Sequence, residues 1–343
     1  MRQSSSRAAS AHGLISSFHG TTSTRRFARR LIRKTLMQKL TIGVVGFGVI
    51  GQRWAAAFAH AGHDVRAFDP DPAREADYGQ TLHDLMSDLD ALGATNATRG
   101  RIEFFTSLAE ALSGVDFVQE NGPEKIELKR KLLAEIENHV GDEVVIASSS
   151  SALLVTDMQT ECRVPGRIVL GHPFNPVHLM PLVEIVGGTL TAPKTLQRAK
   201  VIYDEMGKKA VVLNREITGH LALRLMGAMW REAIALVRDG VASVEDVDRA
   251  FMYGPGPKWT LQGSFISNQL NAAGMEDFLR KYGPTYQAIW DTLLDAKLDE
   301  ATIRAVATST ADAVNGRSQE QLKSEREAGL ITMLQGVARH GAL

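Results

Sequence analysis

The sequence has little that would staple, anchor or extend it. A single cysteine, Cys162, stands among 343 residues. That excludes an internal disulfide framework and fits a reducing compartment, with the cytoplasm as the expected location. Cys162 lies between Glu161 and Arg163 in a polar connector, where no reactive role is expected. No run approaches the roughly 18–20 apolar residues that a membrane helix needs, so no membrane partner is expected. Neither charge is in excess, with 39 basic and 39 acidic side chains. The balance is uneven along the chain, however. Residues 1–36 hold eight bases and no acid, which leaves residues 37–343 with 31 bases, 39 acids and a net of −8. An acidic body disfavours nucleic acid, whose binding rests on neutralised phosphates.

The basic segment 1–36 is rich in Arg and Ser, the composition of an organelle transit peptide. The alternative is a disordered extension or a mis-assigned start upstream of Met37. On either reading it stands apart from the fold. The rest, with 44% hydrophobic and 23% charged residues overall, suits an ordinary globular protein. Its length allows one large or two moderate domains.

From Thr41 to about Leu213, β-branched runs alternate with helical patterns. The spacing predicts strands at 41–46, 64–69, 102–105, 115–119, 143–147, 167–171, 182–186 and 210–213. Helices are predicted between them at 49–61, 73–92, 107–112, 124–140 and 193–206. Such alternation reads as a mostly parallel, doubly wound sheet covered on both faces. Beyond Leu213 the strand signals stop, and Leu221, Leu225, Met229, Ala233 and Leu236 recur at roughly helical spacing. Gly254–Pro255–Gly256–Pro257 is a breaker, and the remainder reads as helical to about Arg339. The expected fold is an α/β Rossmann domain over 37–216 followed by an all-α domain over 217–343.

Gly46–Phe47–Gly48–Val49–Ile50–Gly51 is a G-x-G-x-x-G string between a strand and a helix. Gly46 permits the tight turn, Gly48 admits a diphosphate to the backbone, and Gly51 lets helix and strand approach. Free N–H groups at the helix start then meet the phosphates. Asp69, at the end of the second strand, is placed to accept hydrogen bonds from a ribose. It would repel a 2′-phosphate, so the expected cofactor is NAD.

His172 ends a predicted strand in Gly171–His172–Pro173–Phe174–Asn175–Pro176. Glu184 sits in the apolar run Leu182–Val183–Glu184–Ile185–Val186, where burial is costly unless it is paired. A histidine partner answers that cost. It also yields a proton acceptor whose tautomer the carboxylate fixes. Extra histidines at 178 and 220 form no metal-ligand pattern with His172, so no metal site is expected.

These strings, with the run Ser148–Ser149–Ser150–Ser151, resemble the 3-hydroxyacyl-CoA dehydrogenase superfamily over essentially residues 39–343. The resemblance implies a hydride transfer between a hydroxy acid and NAD, and a homodimer. It further implies His172 as catalytic base, Glu184 as its partner and Ser151 as a contact to substrate oxygen and nicotinamide. Glu124, Lys129 and Asn175 are implied on the cofactor side. One departure stands at the domain junction, Thr218–Gly219–His220–Leu221–Ala222–Leu223–Arg224. There Leu223 replaces the asparagine usual in the family, and one polar contact is lost.

Residues 70–92 hold six acids (Asp71, Glu75, Asp77, Asp84, Asp88, Asp90) and one base, Arg74. That face would repel the phosphates of coenzyme A at short range, which favours a free small acid. Within the superfamily, Met229–Trp230–Arg231–Glu232–Ala233 and Gly256–Pro257–Lys258–Trp259 resemble the carnitine-oxidising branch, with the lambda-crystallin and gulonate-oxidising branch second. Trp230, Trp259, Phe265 and Trp290 are candidate faces for a quaternary ammonium, and Lys258 for a carboxylate. The expected reaction is oxidation of L-carnitine to 3-dehydrocarnitine. A 3-hydroxyacyl-CoA or L-gulonate dehydrogenase, and an NAD-binding protein with impaired catalysis, are the alternatives.

Overall fold

The computed structural model describes residues 39–93 and 98–340; the basic segment 1–36 lies outside them. Eight strands form one sheet: β1 (Thr41–Val45), β2 (Asp64–Phe68), β3 (Ile102–Phe105), β4 (Phe117–Glu120), β5 (Val145–Ser148), β6 (Ile168–Pro173), β7 (Leu182–Gly187) and β8 (Lys209–Val212). Their order is β3-β2-β1-β4-β5-β6-β7-β8. All pairs are parallel except β6 with β7. The order reverses between β1 and β4, which opens a crevice at the carboxyl ends of those strands.

The helices are α1 (Val49–His60), α2 (Ala73–Ala91), α3 (Leu108–Ala111), α4 (Ile126–Glu137), α5 (Val155–Met158) and α6 (Pro193–Glu205), then α7 (Ala222–Arg238), α8 (Val244–Tyr253), α9 (Pro255–Gln269), α10 (Met275–Trp290), α11 (Glu300–Val314) and α12 (Gln319–His340). After β8 the described chain is helical, without a further strand. The Gly-Pro-Gly-Pro run acts as read: α8 stops at Tyr253, and α9 restarts with Pro255 in its first turn.

β4, β5 and β6 are buried along their whole length, as near-continuous apolar runs are when helices cover both faces of a parallel sheet. On one face Trp54 and Phe58 of α1 meet Tyr203 of α6, with ring centroids 5.2 Å apart for Trp54–Phe58 and 5.5 Å for Trp54–Tyr203. On the other, Leu133 and Ile136 of α4 pack with Leu112, Val118, Ile146 and Met158. Among the described residues, no helix is long and apolar enough to cross a membrane.

Several boundaries differ from the sequence reading, among them the starts of β4, β5 and α4. β4 starts at Phe117 because the Asp116 carboxylate accepts from Thr41 N (2.8 Å). β5 starts at Val145, since Glu143 lies in the preceding turn. α4 starts at Ile126 because Glu124 binds the serine loop after β5.

One buried ion pair ties α4 to the end of β4. Lys129 Nζ lies 2.8 and 2.9 Å from the two Glu120 oxygens and 2.9 Å from the Gly122 carbonyl. Ser148 Oγ donates to the same carboxylate at 2.6 Å. Both charged side chains are at most 1% exposed, so removing one partner strands a buried charge. Lys129→Met is expected to lower unfolding free energy by about 3–5 kcal/mol in urea denaturation. The double variant Glu120→Gln/Lys129→Met should recover much of that loss. A loss below about 1 kcal/mol in the single variant contradicts this account.

Candidate active site

The glycine turn has the shape its sequence requires. Gly46 has φ +86°, and a Cβ there would lie 2.9 Å from the Asn121 backbone, so only glycine fits. A Cβ on Gly51 would come within 1.9 Å of the Gly46 carbonyl oxygen. A Cβ on Gly48, by contrast, would meet nothing within 4 Å. Gly48 is the N-cap of α1, with no side-chain cap and no acid in the first turn. Val49, first in that helix, is exposed, Ile50 is half-buried, and the buried Phe47 packs on Tyr78 with ring centroids 4.7 Å apart. The turn therefore presents helix N–H groups beside open space, which fits the diphosphate of NAD. Asp69 follows β2 and accepts from Phe47 N (2.8 Å) and Asp71 N (3.1 Å). Its carboxylate thus stands at the edge of the turn, where a ribose would lie.

The serine run following β5 is organised by Glu124. Its Oε1 accepts from Ser150 Oγ (2.6 Å), Ser151 N (2.9 Å) and Ala152 N (3.0 Å). Burial alone would raise the Glu124 carboxyl; the hydrogen bonds from Ser150, Ala152 and Ser151, with the charge of Lys129, hold it below its ordinary value. Ser151 itself is exposed. Lys129 stands differently from the sequence reading: its ammonium is enclosed by Glu120 and Gly122. With three N–H groups already engaged, it supports the loop from below and keeps no donor for a ligand. Asn175 is exposed, and its Oδ1 accepts from Arg53 Nη1 of α1 at 2.8 Å.

His172 and Glu184 are register partners across the antiparallel pair β6–β7. Opposed residues share a face of the sheet, so their spacing of twelve becomes a contact. His172 Nδ1 lies 2.9 Å from Glu184 Oε2, with both side chains buried. The other oxygen, Oε1, accepts from Leu221 N (2.9 Å) and Ala222 N (2.8 Å) at the start of α7. Burial would raise the Glu184 carboxyl; the hydrogen bonds from His172, Ala222 and Leu221 outweigh it and hold the group below its ordinary value. An ionised carboxylate only accepts. Nδ1 of His172 therefore carries a hydrogen, and in the neutral ring Nε2 is the acceptor.

Two rings flank His172: Phe174, edge-on at 5.5 Å, and His220, tilted at 5.2 Å. The sequence reading noted His220 only as an extra histidine and did not foresee the Leu221 and Ala222 contacts. A signal existed, because the N-cap of α7, Leu221, has no capping side chain; the free N–H groups there needed an outside acceptor.

Among the described residues, Trp230, Trp259, Phe265 and Trp290 make no ring contact with His172, and Lys258 forms no ion pair. Trp259 pairs with Phe251, and Trp290 with Tyr286. Of the acids in 70–92, Asp88 is engaged by His178 and Asp90 by His60 and Arg99, which leaves Asp71, Glu75 and Asp84 exposed. Burial, with Glu137 nearby, raises the Cys162 thiol to about 12, so it is no ready thiolate.

Residues 41–217 match the family model for the 3-hydroxyacyl-CoA dehydrogenase NAD binding domain, and 219–308 that for its C-terminal domain. The chain is 39% identical to an L-carnitine dehydrogenase of Bacillus cereus over 88% of its length and 93% of that protein. It is 40% identical to an L-carnitine dehydrogenase of Streptomyces griseus, covering 87% and 90%. A solved FHMPC 5-dehydrogenase, described as an NAD+ dependent dismutase, superposes with TM-score 0.74 at 28% identity, covering 88% and 99%. A 3-hydroxyacyl-CoA dehydrogenase of Archaeoglobus fulgidus gives TM-score 0.62 at 25% identity, covering 87% and 99%. The chain belongs to the 3-hydroxyacyl-CoA dehydrogenase family and is an NAD-dependent oxidoreductase.

Proposed function

We propose that this enzyme oxidises the 3-hydroxyl of a small hydroxy acid, L-carnitine to 3-dehydrocarnitine, with His172 as proton acceptor. The observation that carries the reading is the buried His172–Glu184 pair at 2.9 Å. The substrate is argued from relatives named L-carnitine dehydrogenase and from the exposed acids of α2, which disfavour a phosphate-bearing ester.

Bound at the glycine turn, NAD+ supplies the hydride acceptor. The chain supplies the rest. His172 Nε2 takes the hydroxyl proton as the C–H and O–H bonds break and the carbonyl forms. Glu184 keeps Nδ1–H in place and faces the imidazolium with a negative charge. Its hold on Leu221 and Ala222 fixes the carboxylate, so little reorganisation accompanies proton transfer. Ser151, presented by the loop that Glu124 grips, contacts substrate oxygen and nicotinamide in this proposal, and Trp230, Lys258, Trp259 and Phe265 are its further substrate contacts.

A cytoplasmic homodimer completes the proposal. Leu225, Met226, Met229 and Trp230 on α7 are 67%, 44%, 41% and 61% exposed. An apolar stripe of this kind calls for a covering surface, and a second copy supplies one. Sedimentation should return twice the chain mass; a monomer at micromolar concentration contradicts the dimer.

NADH formation with L-carnitine should be saturable, and His172→Asn should lower kcat by about 10²–10⁴-fold with NAD binding retained. Glu184→Gln should lower kcat by roughly 10-fold or more and change the pH dependence of stability. Because the Glu184 pKa is depressed in the fold, its stabilisation is complete above the unfolded carboxyl value. It disappears as pH falls through the lower folded value. Thermal unfolding of Glu184→Gln should therefore lose part of the acid-side decline. Turnover with 3-hydroxybutyryl-CoA but not carnitine would overturn the substrate assignment, and full activity of His172→Asn would overturn the mechanism.

A further inference from the structure

His220 lies beside His172, and the proposed mechanism leaves it unused. It occupies the domain junction with φ 49°, a left-handed conformation that a histidine seldom adopts. Its side chain is 1% exposed, and its ring lies 5.2 Å from that of His172. Nε2 stands 3.3 Å from the Ser150 carbonyl oxygen. A carbonyl only accepts, so Nε2 carries the hydrogen. In the neutral ring Nδ1 is then a bare acceptor. It has no hydrogen-bond partner among the described residues. Burial, and the charge His172 would bear, hold His220 below the ordinary imidazole value and favour the neutral ring.

A buried acceptor without a partner costs free energy comparable to a lost hydrogen bond. No neighbouring side chain of the chain relieves it here. The ring adjoins both the reaction base and the serine loop, so a relieving donor belongs to the bound reactants. Both histidines are buried, 4% and 1% exposed, with their rings 5.2 Å apart.

We propose that His220 is a ligand-contacting, specificity-determining residue whose Nδ1 accepts a hydrogen bond from an uncharged N–H or O–H donor of the bound reactants. The donor is either the carboxamide of the nicotinamide or a hydroxyl of the substrate. A carboxylate offers only lone pairs and is repelled at this position, so the acid end of the substrate turns away from His220. The orientation of the hydroxy acid across the reacting carbon follows from that exclusion. The proposal rests on His172 as the reaction base, but its test does not require turnover.

The test combines ¹⁵N-histidine NMR of the wild-type protein with titrations of His220→Phe. In wild type the His220 Nδ1 resonance should read as a non-protonated acceptor and shift toward the hydrogen-bonded range when a ligand binds. A shift on NAD+ alone, with NAD+ affinity 5- to 10-fold weaker in His220→Phe, identifies the cofactor as donor. A shift that needs the hydroxy acid, with a similar weakening of that acid's equilibrium binding only, identifies the substrate. His220→Gly, which tolerates the left-handed backbone and carries no side-chain acceptor, serves where the phenylalanine variant fails to fold. An Nδ1 resonance unmoved by both ligands, or affinities within 2-fold of wild type in the folded variant, overturns the proposal. Loss of turnover in His172→Asn with the His220 shift intact would separate the two claims.

Discussion

The buried carboxylate of Glu184 is the constraint on which the rest of the site depends. A lone carboxylate in an apolar strand would be prohibitively costly to bury. It is tolerated because each oxygen is engaged: one by His172 across the β6–β7 pair, the other by two N–H groups at the start of α7. The same charge therefore aligns His172, fixes its tautomer and caps the first helix of the C-terminal domain. The imidazole and the domain junction share one acceptor.

Around it the chain builds supports in layers. Glu120 and Lys129, buried beneath the crevice, brace the loop from which Glu124 extends. Glu124 in turn gathers three donors of the serine loop. His220 holds the same loop from the other side through the Ser150 carbonyl. Arg53 links the cofactor helix to Asn175, next to the base, and reaches Glu327 of α12 at 3.5 Å. The buried carboxylates Glu120, Glu124 and Glu184 are each engaged by neighbours, and those engagements set the geometry.

Much of this was legible in the sequence because it rests on local chemistry. The glycine string announces its turn through positions where a Cβ collides, and the period of the apolar residues separates strands from helices. Glu184 betrayed itself by standing in a run of valine, leucine and isoleucine. The reversal of β7 was not legible: a short apolar run carries no sign of direction. Direction follows from a pairing that the turn after Asn175 allows. The surroundings of Lys129 were not legible either: Glu120, nine positions earlier on another element, encloses its ammonium. His220 was visible only as a residue type, since its contacts join segments seventy positions apart. The departure at Leu223 is likewise readable in sequence.

Amide hydrogen exchange at Leu221 and Ala222 tests the shared-acceptor claim most directly, compared between wild type and Glu184→Leu. Hydrogen bonds to a charged acceptor contribute about 1.5–3 kcal/mol each. Protection at these two amides should therefore fall by roughly 10-fold or more in the variant, while the strand amides of β4 and β5 keep theirs. Unchanged protection at Leu221 and Ala222 in a folded Glu184→Leu protein would contradict the account, because the helix start would then not depend on the carboxylate that holds His172.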